Sequence, residues 1–377
     1  MKKAISLVLC LSLLAACAFS AAAEPDYYEP SVSAACAVVI EPTSGRVLFA
    51  KNADKRASMA STTKIMTALL LCENCDLQST ATVTAEMVAV EGTSMGLQAG
   101  DTVHYRDLLY GMLLASGNDA ANAAAILIAG SLKDFARLMN ARAKQLGMSS
   151  TNFVTPSGLD DENHYTTAAD MAKLAAAAMC NSAFAEAAGS TSAQLEYGSP
   201  PYKRTLTNHN KLLRLYDGCN GVKTGFTKKS GRCLVSSAER GGKRVIAVTL
   251  NAPDDWNDHK KLLDFGFSQL SDREFLPPKL PKLRVAGGTN KRVPLTSESV
   301  TLHMAQADLD RVQTQLELPP CVFAPVKKGE KVGCVRYLLG DKTVAEVEIT
   351  AASDIPAETY VSEKGAAFWF KKIIISK

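Results

Sequence analysis

The chain has 377 residues, of which 47% are hydrophobic, enough for two domains or one large domain with a full core. Its formal net charge is only +4, and the charges form no basic stripe of the kind that nucleic-acid-binding proteins carry. Composition thus argues against nucleic-acid binding. Fold class and function are predicted from the order of elements and motifs along the chain.

The first 23 residues have the pattern of a secretory signal peptide. Lys2 and Lys3 precede an apolar run, and small residues allow cleavage after Ala23. The apolar run is short for a membrane span. The sequence therefore predicts export from the cytoplasm to the cell envelope. The stretch "LAAC", which ends at Cys17, also fits a bacterial lipoprotein cleavage box, so a lipidated Cys17 stays open as an alternative.

Strand and helix patterns then follow in a defined order. Residues 35–52 predict two strands around a Pro/Ser/Gly turn. Helical spacing of apolar residues predicts helices over residues 63–72, 105–116, 119–130, 131–147 and 166–180. Strand patterns return over residues 221–227, 231–239 and 243–252, and a last helix is predicted over residues 256–270. Strands at both ends of a helix-rich unit indicate an α+β fold, whose antiparallel sheet joins the early hairpin to the late strands.

A proline-rich stretch divides the chain after this unit. We predict a linker over residues 275–284, which follows a first domain over residues 24–274. Apolar residues that alternate with turn residues predict a small all-β domain over residues 285–360. The last segment, residues 361–377, is basic and aromatic, and its Trp369 and lysines suit a membrane interface.

The chain has ten cysteines, and an even number of them follows Ala23, which permits disulfides in an exported protein. Cys321 and Cys334 flank a turn-rich stretch and are the best candidates for a pair. Cys72 and Cys75 form a CxxC motif, but a zinc ribbon needs a second such motif. We interpret these two cysteines as small residues at a helix end.

Ser61 and Lys64 pose the first chemical question, because a lysine stands at the start of an apolar segment. A serine at a helix start lies near unpaired backbone N–H groups, which suit an oxyanion. A lysine three residues later lies on the same face, and burial would lower its pKa. A neutral amine can accept a serine proton. The alternative is a capping serine with a lysine that reaches solvent.

Two further motifs follow in order. The first, "SGN" (Ser116 to Asn118), interrupts two predicted helices and so presents its side chains at a helix junction. The second, "KTG" (Lys223 to Gly225), lies on a predicted strand. An extended substrate can pair with such a strand as a further strand, and glycine permits the substrate backbone to approach closely. Lys223 and Thr224 can bind a terminal carboxylate.

Together, SxxK, SxN and KTG resemble the motifs of the penicillin-recognising serine enzymes. Longer stretches, among them "EPTSGRVLFAKN" and "NGVKTGFTKKSGRCLVSSAER", are similar to the serine-type D-alanyl-D-alanine carboxypeptidases of peptidase family S11, the low-molecular-mass penicillin-binding proteins. The resemblance is dense over residues 34–270 and looser beyond. It implies a β-lactamase/transpeptidase-like catalytic domain, in which helices pack on an antiparallel sheet, followed by a small all-β domain.

The resemblance also implies roles for individual residues. By similarity, Ser61 is the nucleophile, Lys64 its base and Ser116 a proton relay. Substrate-binding positions are implied at Asn118, Lys223, Thr224, Gly225 and Phe226, and the backbone N–H groups of Ser61 and Phe226 would form an oxyanion hole. The implied partners are peptidoglycan stem peptides that end in D-Ala-D-Ala and β-lactam antibiotics. No metal or other cofactor is implied.

The chain departs from the family pattern at two points. Many members carry an arginine before the last helix of the catalytic domain, whereas residues 251–259 contain none. Phe226 stands where some relatives have histidine. We therefore expect the substrate carboxylate to rest on Thr224 and Lys223, and the stem-peptide preference stays open.

Two other functions fit parts of the pattern. A class A β-lactamase shares SxxK and KTG but needs a deacylating glutamate between SxN and KTG. Glu162, Glu186 and Glu196 lie in that interval, and none stands in a Glu-x-x-x-Asn context. A catalytically inactive wall-binding protein is disfavoured because every motif residue is present. The histidines show no HExxH spacing, which argues against a metal peptidase.

Overall fold

The computed structural model of the protein describes residues 29–358. The strands of its first part are β1 (Cys36–Glu41), β2 (Arg46–Lys51), β3 (Thr80–Thr82), β4 (Thr102–His104), β5 (Ser192–Gly198), β6 (Pro201–Thr207), β7 (Cys219–Thr227), β8 (Gly231–Arg240) and β9 (Lys243–Leu250). The helices are α1 (Lys64–Asn74), α2 (Ala85–Val88), α3 (Tyr105–Leu113), α4 (Asn118–Ala129), α5 (Leu132–Gln145), α6 (Ala168–Met179), α7 (Ser182–Gly189), α8 (Leu212–Leu215) and α9 (Asp255–Ser268).

The helices begin and end where the sequence provides caps. The Ser131 hydroxyl accepts a hydrogen bond from the Asp134 N–H at the start of α5, and the Thr167 hydroxyl caps α6 in the same way. Gly130 ends α4 in the left-handed conformation, with φ of 76°. The helices predicted from apolar spacing are therefore confirmed, with small shifts at their ends.

A five-stranded sheet, in the order β2-β1-β9-β8-β7, forms the centre of the first part. All of its strand pairs are antiparallel, and β1 lies between β2 and β9, so the early hairpin joins the late strands as predicted. Every residue of β1 is buried because both faces of the sheet are covered. Val38 packs into the helical cluster around α1, whereas Val39 packs against α9. The α+β prediction is confirmed.

The helical cluster holds α1 at its interior. All of the residues from Lys64 to Leu71 are buried, as expected of a helix that is apolar nearly all round. The features that were not predicted from the sequence include helices α2, α7 and α8 and a four-stranded sheet in the order β3-β4-β5-β6. Strands β3 and β4 have three residues each, too few for an alternating pattern to be recognised.

The second part is built almost entirely of strands. They are β10 (Ser271–Phe275), β11 (Leu283–Ala286), β12 (Arg292–Val293), β13 (Leu295–Ser297), β14 (Val300–Met304), β15 (Gln313–Glu317), β16 (Val322–Phe323), β17 (Lys331–Leu339) and β18 (Lys342–Ala351), with one short helix, α10 (Gln306–Leu309). The strands enclose a separate apolar cluster around Val335, Tyr337 and Ile349. The β-rich character predicted for this part is confirmed.

The predicted domain boundaries are not decided by the fold. Residues 276–282 carry no helix or strand between β10 and β11, but the elements of both parts belong to one compact unit that begins at Val32. The domains at 24–274 and 285–360 and the linker at 275–284 therefore stay a prediction. The predicted signal peptide, Cys17 and the basic tail at 361–377 lie outside the described residues. Within residues 29–358, no helix is long and apolar enough to cross a membrane.

The cysteines give one correction and one confirmation. Cys321 and Cys334 are free thiols, so the expected pairing is wrong. Cys334 lies on β17 opposite Glu317 of β15, and its Sγ is 3.7 Å from Glu317 Oε2. The strand register thus gives Cys334 a carboxylate neighbour. Cys72 and Cys75 lie at the end of α1, as interpreted from the sequence.

A partly buried ion pair joins the first part of the chain to the second. Arg46, at the start of β2, donates from Nη2 to Asp308 Oδ1 at 2.6 Å and from Nε to Oδ2. The Asp308 side chain is 4% exposed, and the guanidinium contact lowers the pKa of its carboxyl. Loss of Arg46 would leave a buried carboxylate without this charged partner.

We expect Arg46→Ala to lower the free energy of unfolding by roughly 1–3 kcal/mol at pH 7, the range for a buried group that loses its partner. Because the folded pKa of Asp308 is lowered, this contribution is present above the ordinary aspartate pKa and is lost as pH falls through the lowered value. Arg137→Ala is the control, since its partner Asp134 is 41% exposed; it should cost at most about 0.5 kcal/mol. Urea unfolding measures both, and equal losses would contradict the assignment.

Candidate active site

A cleft of about 740 Å³ opens where the helical cluster meets the edge of the central sheet. Six of the residues predicted from motifs line it, namely Ser61, Ser116, Asn118, Thr224, Gly225 and Phe226. Lys64 and Lys223 lie in the interior of the protein, 0% and 1% exposed. The three motifs, which are far apart in sequence, are therefore brought together as predicted.

Ser61 lies on a 3₁₀ turn, Ala60–Thr63, that runs directly into α1. The Thr62 hydroxyl donates to the Met59 carbonyl at 2.6 Å, and the Thr63 hydroxyl donates to the Ala60 carbonyl at 2.8 Å. Ala60 has a φ of 47°, which is strained for a residue with a side chain. Since Ser61 makes no capping bond, its hydroxyl is not used to stabilise the helix start.

The Lys64 amine is the centre of the hydrogen bonding in the cleft. Its Nζ lies 3.0 Å from Ser61 Oγ, 2.7 Å from Asn118 Oδ1 and 2.7 Å from the Ser157 carbonyl oxygen. Burial, with a smaller effect of the Lys223 charge, holds the pKa of Lys64 well below its ordinary value. The prediction of a desolvated lysine is confirmed, and the alternative of a lysine that reaches solvent is excluded.

These contacts decide where a neutral Lys64 amine can accept a proton. A neutral amine has two N–H donors and one lone pair, and the Asn118 and Ser157 oxygens can only accept. Both donors are therefore directed at these oxygens, and the lone pair is left for the Ser61 hydroxyl, which can donate. Ser157 was not identified from the sequence, because the contact uses its backbone carbonyl.

The SxN motif forms the junction between α3 and α4. Ser116 has a φ of 58°, and Gly117 is the N-cap residue of α4. A preceding loop braces this junction: the Thr93 hydroxyl donates to the Ser116 carbonyl at 2.6 Å, and Asn118 Nδ2 donates to the Glu91 carbonyl at 2.6 Å. The Asn118 amide thus links the Lys64 amine to the Glu91 carbonyl, and both its oxygen and its nitrogen are hydrogen-bonded.

The KTG motif lies on β7, which is an edge strand of the central sheet and pairs only with β8 among the described strands. Lys223 Nζ donates to the Thr224 carbonyl at 3.0 Å, and burial lowers its pKa to about 7. A Cβ atom on Gly225 would lie 3.0 Å from the Ser61 backbone nitrogen. Glycine thus lets the strand approach the Ser61 turn closely, whereas the sequence suggested that it serves the approach of the substrate.

Beside Phe226, the cleft contains a cation that the sequence patterns did not reveal. Arg232 of β8 lies directly opposite Phe226, which is 64% exposed. The guanidinium pairs with the buried Asp255 at 3.0 Å and lies 5.8 Å from the Trp256 ring centroid. Residues 251–259 lack an arginine, but the neighbouring strand supplies one to the same cleft. Only the strand register shows this proximity.

The glutamates considered for a deacylating role lie elsewhere. None of Glu162, Glu186 and Glu196 lines the cleft. Glu186 lies on α7, where its Oε1 accepts from the Tyr110 hydroxyl at 3.0 Å, and Glu196 lies on β5. Among residues 29–358, Asp255 is the only acidic residue that lines the cleft, and it pairs with Arg232.

A serine hydroxyl on a buried lysine, beside an edge strand that carries KTG, defines a serine enzyme of the penicillin-recognising class. The chain belongs to the D-alanyl-D-alanine carboxypeptidase family, since the model of that family matches residues 21–254. Residues 279–357 match the model of the penicillin-binding protein 5 C-terminal domain.

Individual relatives agree with this assignment. The chain is 32% identical to the D-alanyl-D-alanine carboxypeptidase DacF of Bacillus subtilis over 377 residues, 96% of this chain and 97% of the relative. The structure of penicillin-binding protein 5 from Haemophilus influenzae matches with a TM-score of 0.63 and 28% identity, over 87% of this chain and 99% of that one. The Streptomyces K15 DD-transpeptidase matches with a TM-score of 0.61 and 34% identity, over 64% and 99%.

Gly158 gives a test of how the Lys64 site is held. Its φ is +87°, and a Cβ atom would lie 1.9 Å from the Ala60 carbonyl oxygen, beside the Ser157 carbonyl that Lys64 contacts. We expect Gly158→Ala to destabilise the fold by roughly 2–4 kcal/mol, from backbone strain plus overpacking. Gly147→Ala is the matched control, because Gly147 has a φ of +70° and nothing within 4 Å; it should cost only about 1–2 kcal/mol. Equal effects in urea unfolding would contradict this account.

Proposed function

We propose that the protein is a serine-type D-Ala-D-Ala carboxypeptidase, which removes the terminal D-alanine from peptidoglycan stem pentapeptides through an acyl-enzyme on Ser61. Membership of the family gives the activity class. The observation that carries the mechanism is the contact between Ser61 Oγ and the buried Lys64 amine, at 3.0 Å. A buried amine with a lowered pKa is a suitable base for a serine hydroxyl at neutral pH.

The first half-reaction is acyl transfer to the serine. Ser61 Oγ attacks the carbonyl carbon of the penultimate D-alanine, and its proton passes to Lys64 Nζ. The tetrahedral intermediate then collapses, the peptide C–N bond breaks, and the proton passes through Ser116 to the departing amine of D-alanine. Water hydrolyses the ester in the second half-reaction, giving its proton to Lys64 and restoring the Ser61 hydroxyl.

The substrate backbone would bind as an added strand along the free edge of β7. In this pose the carbonyl oxygen that becomes negative lies between the backbone N–H groups of Ser61 and Phe226. The close approach of Gly225 to the Ser61 turn supports this arrangement, because it holds the strand and the turn side by side. Such preorganised donors are typically worth about 3 kcal/mol each in the transition state.

Arg232 is our choice for the partner of the substrate carboxylate. The expectation from the sequence placed this role on Thr224 and Lys223, but Lys223 is buried and its pKa of about 7 leaves it only partly charged at neutral pH. Arg232 is always charged, lines the cleft and is oriented by Asp255. We propose that its guanidinium, with the Thr224 hydroxyl, binds the terminal carboxylate.

The same geometry supports inhibition by β-lactams. A β-lactam mimics D-Ala-D-Ala, so Ser61 would open its ring and become acylated. The leaving group stays tethered in this adduct and blocks water, and none of the glutamates in the described part of the chain lines the cleft to activate a water molecule. We propose that the protein acts outside the cytoplasm at the cell envelope, after export by the segment 1–23, with the tail 361–377 at the membrane surface.

Incubation with a labelled penicillin tests the nucleophile. We expect one stable adduct per chain, located by tryptic mapping on the peptide that contains Ser61, and none in Ser61→Ala. Lys64→Ala and Ser116→Ala should acylate more slowly by about 10²-fold or more, because each loses a proton-transfer group. Rapid penicillin turnover with no trapped adduct, or a label on another residue, would favour a β-lactamase or a different nucleophile.

Arg232→Gln tests carboxylate recognition separately from the chemistry. We expect kcat/KM for a peptide ending in D-Ala-D-Ala to fall roughly 10–100-fold, the range for one charge-assisted hydrogen bond. Penicillin labelling of Ser61, carried to completion, should show that the nucleophile is intact. The same peptide with an amidated C-terminus should be cleaved equally slowly by the variant and by the unaltered protein. Arg214→Gln is the control, because Arg214 also lines the cleft but lies on α8. A larger loss in Arg214→Gln would move the role to Arg214.

A further inference from the structure

The outer face of the sheet β12-β11-β16 has an unusual set of side chains. Arg284 of β11 lies directly opposite Arg292 of β12, and Ala286 pairs with Phe323 of β16. Leu283 and Val285 alternate with these residues and are buried, so the two arginines and Phe323 share the opposite, solvent-facing side. We call the set Arg284, Arg292 and Phe323 the outer face.

The outer face is unfavourable as a free surface. Like charges directly opposite each other on paired strands repel. Within residues 29–358, Arg284 and Arg292 form no ion pair that would offset this repulsion. Phe323 is 77% exposed, the most exposed large hydrophobic residue of the described chain. Two uncompensated cations beside an exposed aromatic ring are complementary to a surface that is anionic and partly apolar.

The last described residue, Glu358, is held at one end of the same sheet. The Glu358 N–H donates to the Gly287 carbonyl at 2.7 Å, in the turn between β11 and β12. Lys291 of that turn pairs with Glu358 at 2.9 Å. The sequence after Glu358 includes the basic and aromatic stretch "FWFKKIIISK".

We propose that the outer face docks on an anionic lipid bilayer, with Arg284 and Arg292 at the phosphates and Phe323 at the level of the headgroups. Aromatic residues favour this interface, and arginines near it are attracted by anionic lipids. The proposal goes beyond the tail, because it gives the folded β part its own contact with the membrane. The folded domain and the tail then bind the same surface side by side.

Vesicle binding by the full chain tests this proposal. Vesicles contain about 30 mol% phosphatidylglycerol in phosphatidylcholine, and co-sedimentation gives the partition coefficient. A cation near such a surface is worth about five-fold in partitioning, so Arg284→Gln with Arg292→Gln should lower it by roughly 25-fold. Phe323→Ser should also weaken binding. Pure phosphatidylcholine vesicles should bind the unaltered chain and the double variant almost equally.

A matched control separates local charge from net charge. Lys133→Gln with Lys144→Gln removes the same formal charge from exposed positions of α5 and should leave partitioning unchanged. All variants should retain penicillin labelling, which shows that they are folded. Unchanged partitioning in the arginine double variant, or an equal loss in the lysine control, overturns the proposal. So does a finding that the outer-face substitutions only dissociate a dimer in analytical ultracentrifugation.

Discussion

The site depends on the removal of one ammonium group from water. Lys64 is 0% exposed and contacts only neutral oxygens, so its charged form has lost hydration without gaining a carboxylate partner. Asp119 favours the charge, but burial and the nearby Lys223 act against it and dominate. Burial of this amine therefore costs stability and holds its pKa below the ordinary lysine value, a combination that is common at functional sites.

The position of Lys64 requires both layers of the catalytic part. The central sheet supplies a straight edge, since β1 is covered on both faces and fixes β9, β8 and β7 in turn. The helical cluster supplies the opposite wall, with α1 at its interior. Gly225 of β7 and Gly158 of the loop between α5 and α6 both approach the Ser61 turn closely: a Cβ atom would lie 3.0 Å from the Ser61 nitrogen at Gly225 and 1.9 Å from the Ala60 carbonyl oxygen at Gly158. Ser61 is therefore fixed by backbone contacts on both sides.

Much of this arrangement was predictable, because it follows from local sequence patterns. The spacing of apolar residues predicted the long helices, and their alternation predicted the late strands. The three motifs predicted that Ser61, Ser116 and Lys223 belong to one site. The contacts that were missed are made by backbone atoms or by strand register, as with the Ser157 carbonyl and the placement of Arg232 opposite Phe226. Backbone contacts and strand register do not depend on the type of residue at a single position, so the sequence does not reveal them. The expected pairing of Cys321 and Cys334 failed for the same reason, since register placed Glu317 beside Cys334.

Asn118 shows that the resting site satisfies its own polar groups. Its Oδ1 accepts from Lys64 and its Nδ2 donates to the Glu91 carbonyl. A ligand that binds there exchanges one hydrogen bond for another, so little net free energy is gained in the ground state. Discrimination then comes from the exchange itself, because a molecule that cannot replace the displaced bonds leaves buried groups unsatisfied. A ligand at Asn118 would then be selected by its ability to replace the hydrogen bonds to Lys64 and Glu91.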